Sequence, residues 1–470
     1  MSFCLDFYTT GTGKMLCNSA ASAGRAARRS ILQIAKTTSS SRNLATVVTV
    51  PLVNHAGHDH KVVVVGAGSA GLAISHQLVR TGKFSPHDIA VVDPADWHHY
   101  QPGWTLVGGG LKNKEDLREG LPGLIDPKLK FYNSKVAAFS PEQNSISLDN
   151  GDQLNYEHLV VVPGIKVDFT SIKGLPEALN DPKSLVSSIY SYDYCDKVFP
   201  SIKKLTSGSA LFTQPAGIVK CAGAPQKAMW LALDHWKRAG LYNPSNPSHS
   251  KIDVTFATGL PVMFGVPKYA AKLEELRVER AVEGLFEHDL VSVDGNVATF
   301  SVPGNKTVKK RFDFLHAVPK MGPHAFVRNS PLANAAGFVD VDDATTRHKK
   351  YDNVWSVGDA SSLPTSKTIA AITSQAPVLV ENLMLCLEDK TPSAAYDGYT
   401  SCPLVTEYGK VLLAEFKYGG EPKETFKSWF GIDQATPRRA FYHLKKDFFP
   451  WVYSKSMIKG TWGGPRGWIR

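Results

Sequence analysis

The sequence has few cysteines, and they are not arranged as in a metal site or a disulfide-bonded secreted scaffold. Its 470 residues contain six cysteines, with no C-x-x-C pair. Thiols this isolated are more often buried or catalytic. The neighbouring histidines His98 and His99 do not suggest a metal either, because adjacent side chains rarely face one ligand. We therefore predict no metal site.

Long apolar runs are also missing. No segment reaches the roughly 18 consecutive apolar residues that a membrane-spanning helix needs, so any membrane contact is predicted to be peripheral. The chain is 43% hydrophobic and 20% charged, which is typical of a folded soluble protein. Its length allows two or three domains.

Acidic residues are scarce at the start of the chain. Residues 1–44 contain six basic residues and one acid, Asp6, and are rich in serine, threonine and alanine. This pattern is typical of a mitochondrial transit peptide; the alternative is a disordered basic tail. Half of the net charge of +10 lies in this segment, so the charge is weak support for nucleic-acid binding, and we predict none.

The clearest motif is a glycine-rich turn after an apolar strand. The segment "KVVVVGAGSAGLAISHQLVRTG" (61–82) places Gly66, Gly68 and Gly71 in a G-x-G-x-x-G pattern before an amphipathic helix. The first glycine allows a tight turn, the second lets the backbone approach a pyrophosphate, and the third allows close packing of helix and strand. Without further context, the alternative is an ordinary glycine turn in an α/β protein.

Two further features favour a dinucleotide site. The backbone amides of Ser69 and Ala70 are predicted to lie at the positive end of the helix. A second apolar strand, "IAVVDP", ends in Asp93, 22 residues past Gly71. An acid at this distance can bind ribose hydroxyls, so we predict an adenine dinucleotide.

A late motif favours FAD over NAD. In "YDNVWSVGDASSLPTSKTIAAITSQA" (351–376), a strand ends in Gly358 and Asp359 and leads into a helix. The acid can accept hydrogen bonds from ribityl hydroxyls. The helix N-terminus can face the pyrimidine end of an isoalloxazine ring; its residues are Lys367, Thr368, Ile369 and Ala370.

The second predicted nucleotide domain has no glycine fingerprint. Residues 207–258 follow a β-α-β order, but the turn contains Ile218, Val219 and Lys220, which would obstruct a pyrophosphate. We predict that this domain does not bind NAD(P)H. The turn ends instead in Cys221, which a helix N-terminus and nearby lysines would favour as a thiolate. The alternative is a buried structural cysteine.

Cys402 is a possible partner for Cys221. It is predicted to lie in a Gly/Ser/Pro loop before a strand, 181 residues after Cys221. Two thiols this far apart meet only through the tertiary fold and cannot form a local metal clip. They are either structural thiols or a redox pair at the flavin.

Several motifs together resemble a known family. The segments "YQPGWTLVGGG", "VKCAGAPQK", "GDASSLPTSKT" and "YDGYTSCPLV" resemble those of the mitochondrial sulfide:quinone oxidoreductases, in the superfamily of glutathione reductase and type II NADH dehydrogenase. The similarity covers roughly residues 60–465.

The resemblance implies specific roles for both cysteines. They would lie on the flavin face opposite the quinone, joined by a bridge that hydrogen sulfide attacks. Cys402 would then carry a persulfide while Cys221 donates electrons through FAD to ubiquinone. The sulfane sulfur would leave to glutathione or sulfite. Cys195 is predicted to be structural.

Other roles follow less directly. The resemblance places Gln101 and Val136 near the FAD ribose and adenine; Val136 is alternatively an ordinary strand residue. Lys367 is predicted to stabilise a reduced flavin anion or to aid quinone protonation, or else to be a solvated charge.

The C-terminal segment is aromatic and basic. Residues 440–470 contain eight aromatic residues and six bases but only one acid, Asp447. Such a composition suits an interfacial helix at a membrane, from which a long-tailed quinone is collected. We predict a peripheral contact with the mitochondrial inner membrane. The alternative is a helix that covers the core or a dimer surface.

These features predict an α/β fold with two Rossmann-like domains, the second degenerate, and a C-terminal membrane-associating region. The predicted parts are a transit peptide (1–50), a first FAD-binding part (51–165), the degenerate domain (166–315), a second FAD-binding part (316–390) and the C-terminal region (391–470). Two alternative functions are a type II NADH:quinone dehydrogenase-like enzyme and a catalytically silent membrane flavoprotein.

Overall fold

The computed structural model describes residues 57–469, and the predicted transit peptide lies outside the described residues. Strands are numbered β1 to β21 in chain order: Gly57–Val65, Ile89–Val92, Trp97–His99, Arg118–Gly120, Lys130–Tyr132, Val136–Ser140, Ser145–Leu148, Gln153–Val161, Lys166–Asp168, Val186–Ser187, Gly208–Gln214, Ile252–Thr258, Glu283–Phe286, Asp289–Asp294, Val297–Val302, Lys306–Arg311, Phe314–His316, Lys320–Gly322, Val354–Trp355, Thr400–Glu407 and Lys410–Phe416.

Helices are numbered α1 to α11 in the same way: Ser69–Arg80, Trp104–Val107, Leu175–Asn180, Cys195–Lys204, Ala224–Arg238, Pro267–Glu279, Ala325–Arg328, Ile369–Leu387, Thr425–Phe430, Arg439–His443 and Phe449–Lys455. A π-helical turn, Leu444–Phe448, joins α10 to α11.

The first sheet is built around the valine-rich strand β1. Its seven strands run in the order β5-β2-β1-β8-β7-β6, with β19 beside β8. The pairs of β1 with β2 and of β1 with β8 are parallel. Val62, Val63 and Val64 are fully buried, as expected for a strand covered on both faces. The glycine turn therefore lies at the carboxyl end of a central strand.

The second sheet has five parallel strands in the order β10-β17-β11-β12-β13. Helix α5 connects β11 to β12, which is the predicted β-α-β unit. Two large side chains of α5, Trp230 and Trp236, are fully buried and fix the helix against the sheet.

An antiparallel ribbon, β20–β21, follows the long helix α8. The predicted loop position of Cys402 is wrong, because Cys402 lies inside β20 and pairs with Ala414 of β21. The adjacent Pro403 indicated a loop, but a two-stranded ribbon has edges on which proline is tolerated.

Helix α8 is the one helix among residues 57–469 that is long and apolar enough to cross a membrane. It has 19 residues and a mean hydropathy of 1.4. Ala376, Leu379 and Leu383 on this helix are fully buried against α1 and the first sheet. These contacts are those of a core helix.

The C-terminal helices pack against the core with some of their side chains and expose others. Phe441, Tyr442 and Tyr453 are buried, whereas Trp451 and Trp468 are half exposed. The segment therefore has one buried and one exposed side, and its contact with a membrane stays a prediction.

Candidate functional site

The glycine turn between β1 and α1 leaves room for a ligand at one position only. A Cβ atom on Gly66, which has a φ of +103°, would lie 2.6 Å from the carbonyl oxygen of Val162. A Cβ on Gly71 would lie 1.7 Å from the carbonyl oxygen of Gly66, but a Cβ on Gly68 would meet nothing within 4 Å. The outer glycines are needed for packing, and the open space at Gly68 fits a pyrophosphate.

Asp93, at the end of β2, holds the turn in place. Its carboxylate accepts hydrogen bonds from the backbone nitrogens of Ala67, at 2.7 Å, and Ala95, at 2.8 Å. Burial raises the pKa of Asp93 above its usual value. Binding of a ribose by this carboxylate stays a prediction.

A cavity of about 200 Å³, which we call the central cavity, begins at the glycine turn. It reaches from there to the loop before α5 and to the start of α8. Eight of the predicted site residues line it: Gly68, Ser69, Ala70, Gln101, Cys221, Asp359, Lys367 and Ile369.

The start of α8 forms one wall of the central cavity. Thr368 caps the helix, because its hydroxyl accepts a hydrogen bond from the nitrogen of Ala371 at 3.0 Å. The Lys367 ammonium donates to the carbonyl oxygen of Ser361 at 2.6 Å. Burial lowers the pKa of Lys367 to about 8 and raises that of Asp359. Lys367 is therefore buried rather than solvated.

Other predicted residues lie elsewhere. Gly358, with a φ of +66°, forms the turn before Asp359. Ala370 lines a second cavity, described below. Val136 is buried in the apolar core of the first sheet and does not line either of these two cavities. Its position beside an adenine stays a prediction.

Cys221 has an unusual backbone conformation. Its φ is +54°, a left-handed value that is costly for a non-glycine residue and is often found at functional sites. The conformation is held by a hydrogen bond from its nitrogen to the carbonyl oxygen of Lys367, 2.7 Å long. The loop before α5 is thus joined to the segment before α8.

A buried ammonium lies beside the Cys221 thiol. Nζ of Lys227, on α5, is 3.3 Å from its sulfur atom, and Lys227 is almost fully buried. The pKa of Cys221 is well below its usual value, first because of a hydrogen bond with Cys402 and then because of Lys227. The structure therefore favours a Cys221 thiolate.

Cys402 is the spatial partner of Cys221. It is buried on β20, and a Cβ on Gly223, two residues after Cys221, would lie 2.7 Å from its sulfur. Thr400 on the same strand shares a hydrogen bond of 2.7 Å with Thr368. Hydrogen bonding with Cys221 and burial raise the pKa of Cys402. Both cysteines are free thiols in the structure.

The loop before α5 does not resemble a nucleotide turn. Nine residues, 215–223, separate β11 from α5, and Val219 is buried in the core. The Lys220 ammonium donates to Oε1 of Gln101 at 2.7 Å, and both residues line the central cavity. Pro225 lies in the first turn of α5, as predicted.

A second cavity, of about 520 Å³, lies next to the first and is lined mainly by apolar and aromatic groups. We call it the aromatic cavity. Cys221, Pro102 and Ile369 line both cavities. Further lining residues come from α9, α11 and the C-terminal segment, including Trp429 and Trp468.

Sequence reasoning missed several groups at this site. Lys445 was counted among the bases of an interfacial segment, but it is buried and lines the aromatic cavity. Tyr190 and Trp104 line the central cavity, and no local pattern distinguishes them from core aromatics.

Cys195 lines neither of the two cavities. It lies at the buried start of α4, in one apolar cluster with Trp104. Burial, together with Asp196, raises its pKa to about 12, which fits the predicted structural role. Among residues 57–469, no group of three potential metal ligands is found.

Comparison with known proteins identifies the family of this chain. A family model described as pyridine nucleotide-disulphide oxidoreductase matches residues 60–202. The mitochondrial sulfide:quinone oxidoreductase of Schizosaccharomyces pombe is 46% identical over 441 residues, or 89% of this chain and 94% of the relative. The mitochondrial sulfide:quinone oxidoreductase of Dictyostelium discoideum is 44% identical over 409 residues, which cover 86% of this chain and 87% of the relative.

The fold is also that of a solved relative. The structure of the sulfide:quinone oxidoreductase from Aquifex aeolicus has a TM-score of 0.66 at 18% identity, covering 84% of this chain and 91% of that one. Because two relatives are more than 40% identical over at least 86% of its length, the chain belongs to the family of mitochondrial sulfide:quinone oxidoreductases.

Proposed function

We propose that this protein oxidises hydrogen sulfide with Cys221 and Cys402, passes the electrons through FAD to ubiquinone, and transfers the sulfane sulfur to glutathione or sulfite. The observation that carries the proposal is the contact of the two thiols with each other and with Lys227. Cys221 also lines the cavity that begins at the glycine turn.

The first step is a thiol–disulfide exchange. In the oxidised enzyme, HS⁻ attacks the sulfur of Cys402, a new S–S bond forms, and the bond to Cys221 breaks. Cys402 then carries a persulfide, and the electron pair of the broken bond stays on Cys221 as a thiolate. The Lys227 ammonium, 3.3 Å away, stabilises this charge. The order of the two cysteines rests on the family resemblance.

The residues of the central cavity fit FAD. The space at Gly68 and the amides of Ser69 and Ala70 suit the pyrophosphate, and Asp359 suits the ribityl chain. Lys367, at the start of α8, suits the pyrimidine end. When bound, FAD supplies a two-electron carrier between the thiolate and the quinone.

The aromatic cavity suits ubiquinone collected from a membrane. Four aromatic side chains of the segments that line it are exposed by half or more: Trp429, Phe430, Trp451 and Trp468. Three basic residues flank them: Lys427, Lys455 and Arg466. Exposed aromatic and basic side chains favour an interfacial contact, which we propose is with the mitochondrial inner membrane. We propose ubiquinone for the exposed end of this cavity, at Trp429 and Trp468, and sulfide for its buried end, at Cys221 and Lys227. The position of the quinone on the flavin face opposite the cysteines stays a prediction.

An anaerobic mixing experiment tests the proposal against both alternative functions. We expect sulfide to bleach the flavin absorbance of the purified holoenzyme and NADH to leave it unchanged. Rapid bleaching by NADH would instead support a type II dehydrogenase, and no response to either reductant would support a silent flavoprotein.

A further inference from the structure

Lys445 is a buried lysine for which the proposed reaction has so far given no role. Its side chain extends from the π-helical turn between α10 and α11, and only 4% of its surface is exposed. Turns of this kind are uncommon and occur frequently at functional sites. Lys445 lines the aromatic cavity together with Cys221 and Lys227.

The Lys445 amine has little to stabilise a positive charge. Its single hydrogen bond within the described residues goes to the carbonyl oxygen of Pro102, at 3.2 Å. No carboxylate of residues 57–469 forms an ion pair with it. A buried ammonium without a counterion is unfavourable, so such a group tends to lose its proton.

The surrounding groups influence Lys445 in opposite directions. Burial and then the nearby Lys227 ammonium lower its pKa to about 7, and the two cysteines act in the opposite sense. Four further titratable side chains line the same cavity: Tyr100, Tyr399, Glu415 and Tyr453. Glu415 accepts hydrogen bonds from Tyr399, Gln434 and Thr425.

We propose that Lys445 is a catalytic base, which removes a proton from hydrogen sulfide in the aromatic cavity and so produces HS⁻ beside the cysteine pair. The inference rests on the proposed function. The S–H bond breaks, its proton forms an N–H bond on Nζ of Lys445, and its electron pair stays on sulfur. The resulting HS⁻ then attacks Cys402 as described above.

This role explains why the site has two buried lysines. Neutral H₂S enters an apolar cavity more readily than HS⁻ does, because the anion loses its hydration. The attacking species, however, is the anion. The Lys227 nitrogen lies 3.3 Å from the Cys221 sulfur, so its ammonium is placed to stabilise the leaving thiolate. Lys445 is the lysine of the pair that can accept a proton near neutral pH.

The test is the pH dependence of persulfide formation. The oxidised holoenzyme is mixed anaerobically with sulfide, quenched with an alkylating agent, and analysed by mass spectrometry for the added sulfur on Cys402. The reaction needs neutral Lys445 and H₂S together. The second-order rate constant of the wild type, plotted against pH, should therefore follow a bell-shaped curve between about pH 6 and 9. On the alkaline side it should fall roughly tenfold per pH unit.

Two variants separate a base from a fixed charge. Lys445→Arg keeps a positive charge but cannot accept a proton, so its rate should reach a plateau at alkaline pH and be slower than that of the wild type near pH 7 by at least about tenfold. An arginine variant as fast as the wild type near pH 7 would show that Lys445 acts only through its charge and would overturn the inference. Lys445→Met should also lose the alkaline decline and be slower at neutral pH by at least about tenfold. The methionine variant keeps the test valid if the larger arginine side chain does not fit the cavity and the arginine variant does not fold. Lys237→Arg, at the exposed end of α5, should behave as the wild type.

An alkaline decline that persists unchanged in both Lys445 variants would overturn the inference, because another group would then be titrating. The proposed function would instead be refuted if the wild-type enzyme formed no persulfide at any pH and if sulfide did not bleach its flavin absorbance.

Discussion

At the scale of single residues, two buried lysines next to one thiol differ in what surrounds them. Lys227 lies 3.3 Å from the Cys221 sulfur, whereas Lys445 has only a carbonyl oxygen as a partner. The pKa of Lys227 is therefore raised and that of Lys445 is lowered. Of the two lysines in one cavity, Lys227 is suited to keep its proton and Lys445 is suited to accept one.

The first prediction concerns the ionisation of Cys221. Replacing Lys227 by Met removes the ammonium that stabilises the thiolate, so the pKa of Cys221 should rise, by at least about one unit. The measurement is the rate of iodoacetamide alkylation of Cys221 in the reduced protein as a function of pH. The midpoint should move to higher pH, because less thiolate is present at any given pH.

The matched control is Lys237→Met, on the exposed end of the same helix, which should leave the midpoint in place. An unshifted midpoint in Lys227→Met would mean that Cys402 alone sets the ionisation of Cys221.

The candidate thiol Cys221 was predictable from the sequence, but the buried position of Lys445 was not. Cys221 stands before Pro225, which marks the start of a helix, and two lysines are near it in sequence. Lys445 lies between aromatic residues in a segment whose composition is also that of an interfacial helix. Its burial depends on a π-helical turn, for which we found no signal in the sequence.

At the scale of structural elements, different glycines of the glycine turn are suited to packing and to ligand binding. A side chain on Gly71 would collide with the backbone of the turn itself, whereas one on Gly68 would enter open space. The two positions therefore predict different consequences for the same substitution.

Gly71→Ala should destabilise the protein even without cofactor, by about 1–3 kcal/mol, because the backbone has to move. Gly68→Ala should leave the unfolding free energy of the apoprotein nearly unchanged but weaken FAD binding, because the methyl group would take up the space proposed for the pyrophosphate. Urea unfolding of both apoproteins and FAD titration of Gly68→Ala measure this. A Gly68→Ala variant that binds FAD as tightly as the wild type would refute the proposed position of the pyrophosphate.

Elements with a strong periodic pattern were predictable, and the β20–β21 ribbon was not. The valine run of β1 and the helix after it follow from local sequence. Strand β20 contains Pro403, which normally argues against a strand, and its pairing with β21 outweighs that preference.

At the scale of the whole molecule, four of the five exposed tryptophan and phenylalanine side chains of residues 57–469 belong to segments that line one cavity. Trp429 and Phe430, on α9, are 63% and 66% exposed. They lie outside the segment predicted from composition, yet Trp429 lines the same cavity as Trp468. Such a surface suits contact with a membrane.

Replacing both Trp429 and Phe430 by Ser should reduce binding to liposomes by at least about tenfold, since each ring contributes roughly 1.5–3 kcal/mol on transfer out of water. Stability should change by less than about 0.5 kcal/mol, because both side chains are exposed. Liposome co-sedimentation and thermal unfolding are the measurements.

The control is Val278→Ser, on α6, which is also 63% exposed and should sediment like the wild type. Equal liposome binding by the double variant would place the membrane contact elsewhere.

The predicted α/β class and the family are confirmed, but the active site depends on contacts between distant segments. Cys221 and Cys402 meet because α5 and β20 pack together, and no local pattern encodes that contact. The domain boundaries after residues 165, 315 and 390 stay a prediction, as does the transit peptide.

The central claim is that Cys221 and Cys402 act together as the group that sulfide reduces. Its most direct test is rapid anaerobic mixing of sulfide with the wild type, Cys221→Ser and Cys402→Ser, each loaded with FAD, while the flavin absorbance is followed. We predict that the wild type is bleached within the mixing experiment and that each variant is slower by at least about 10³-fold, since neither can form the bridge. Bleaching of either variant at the wild-type rate would contradict the account.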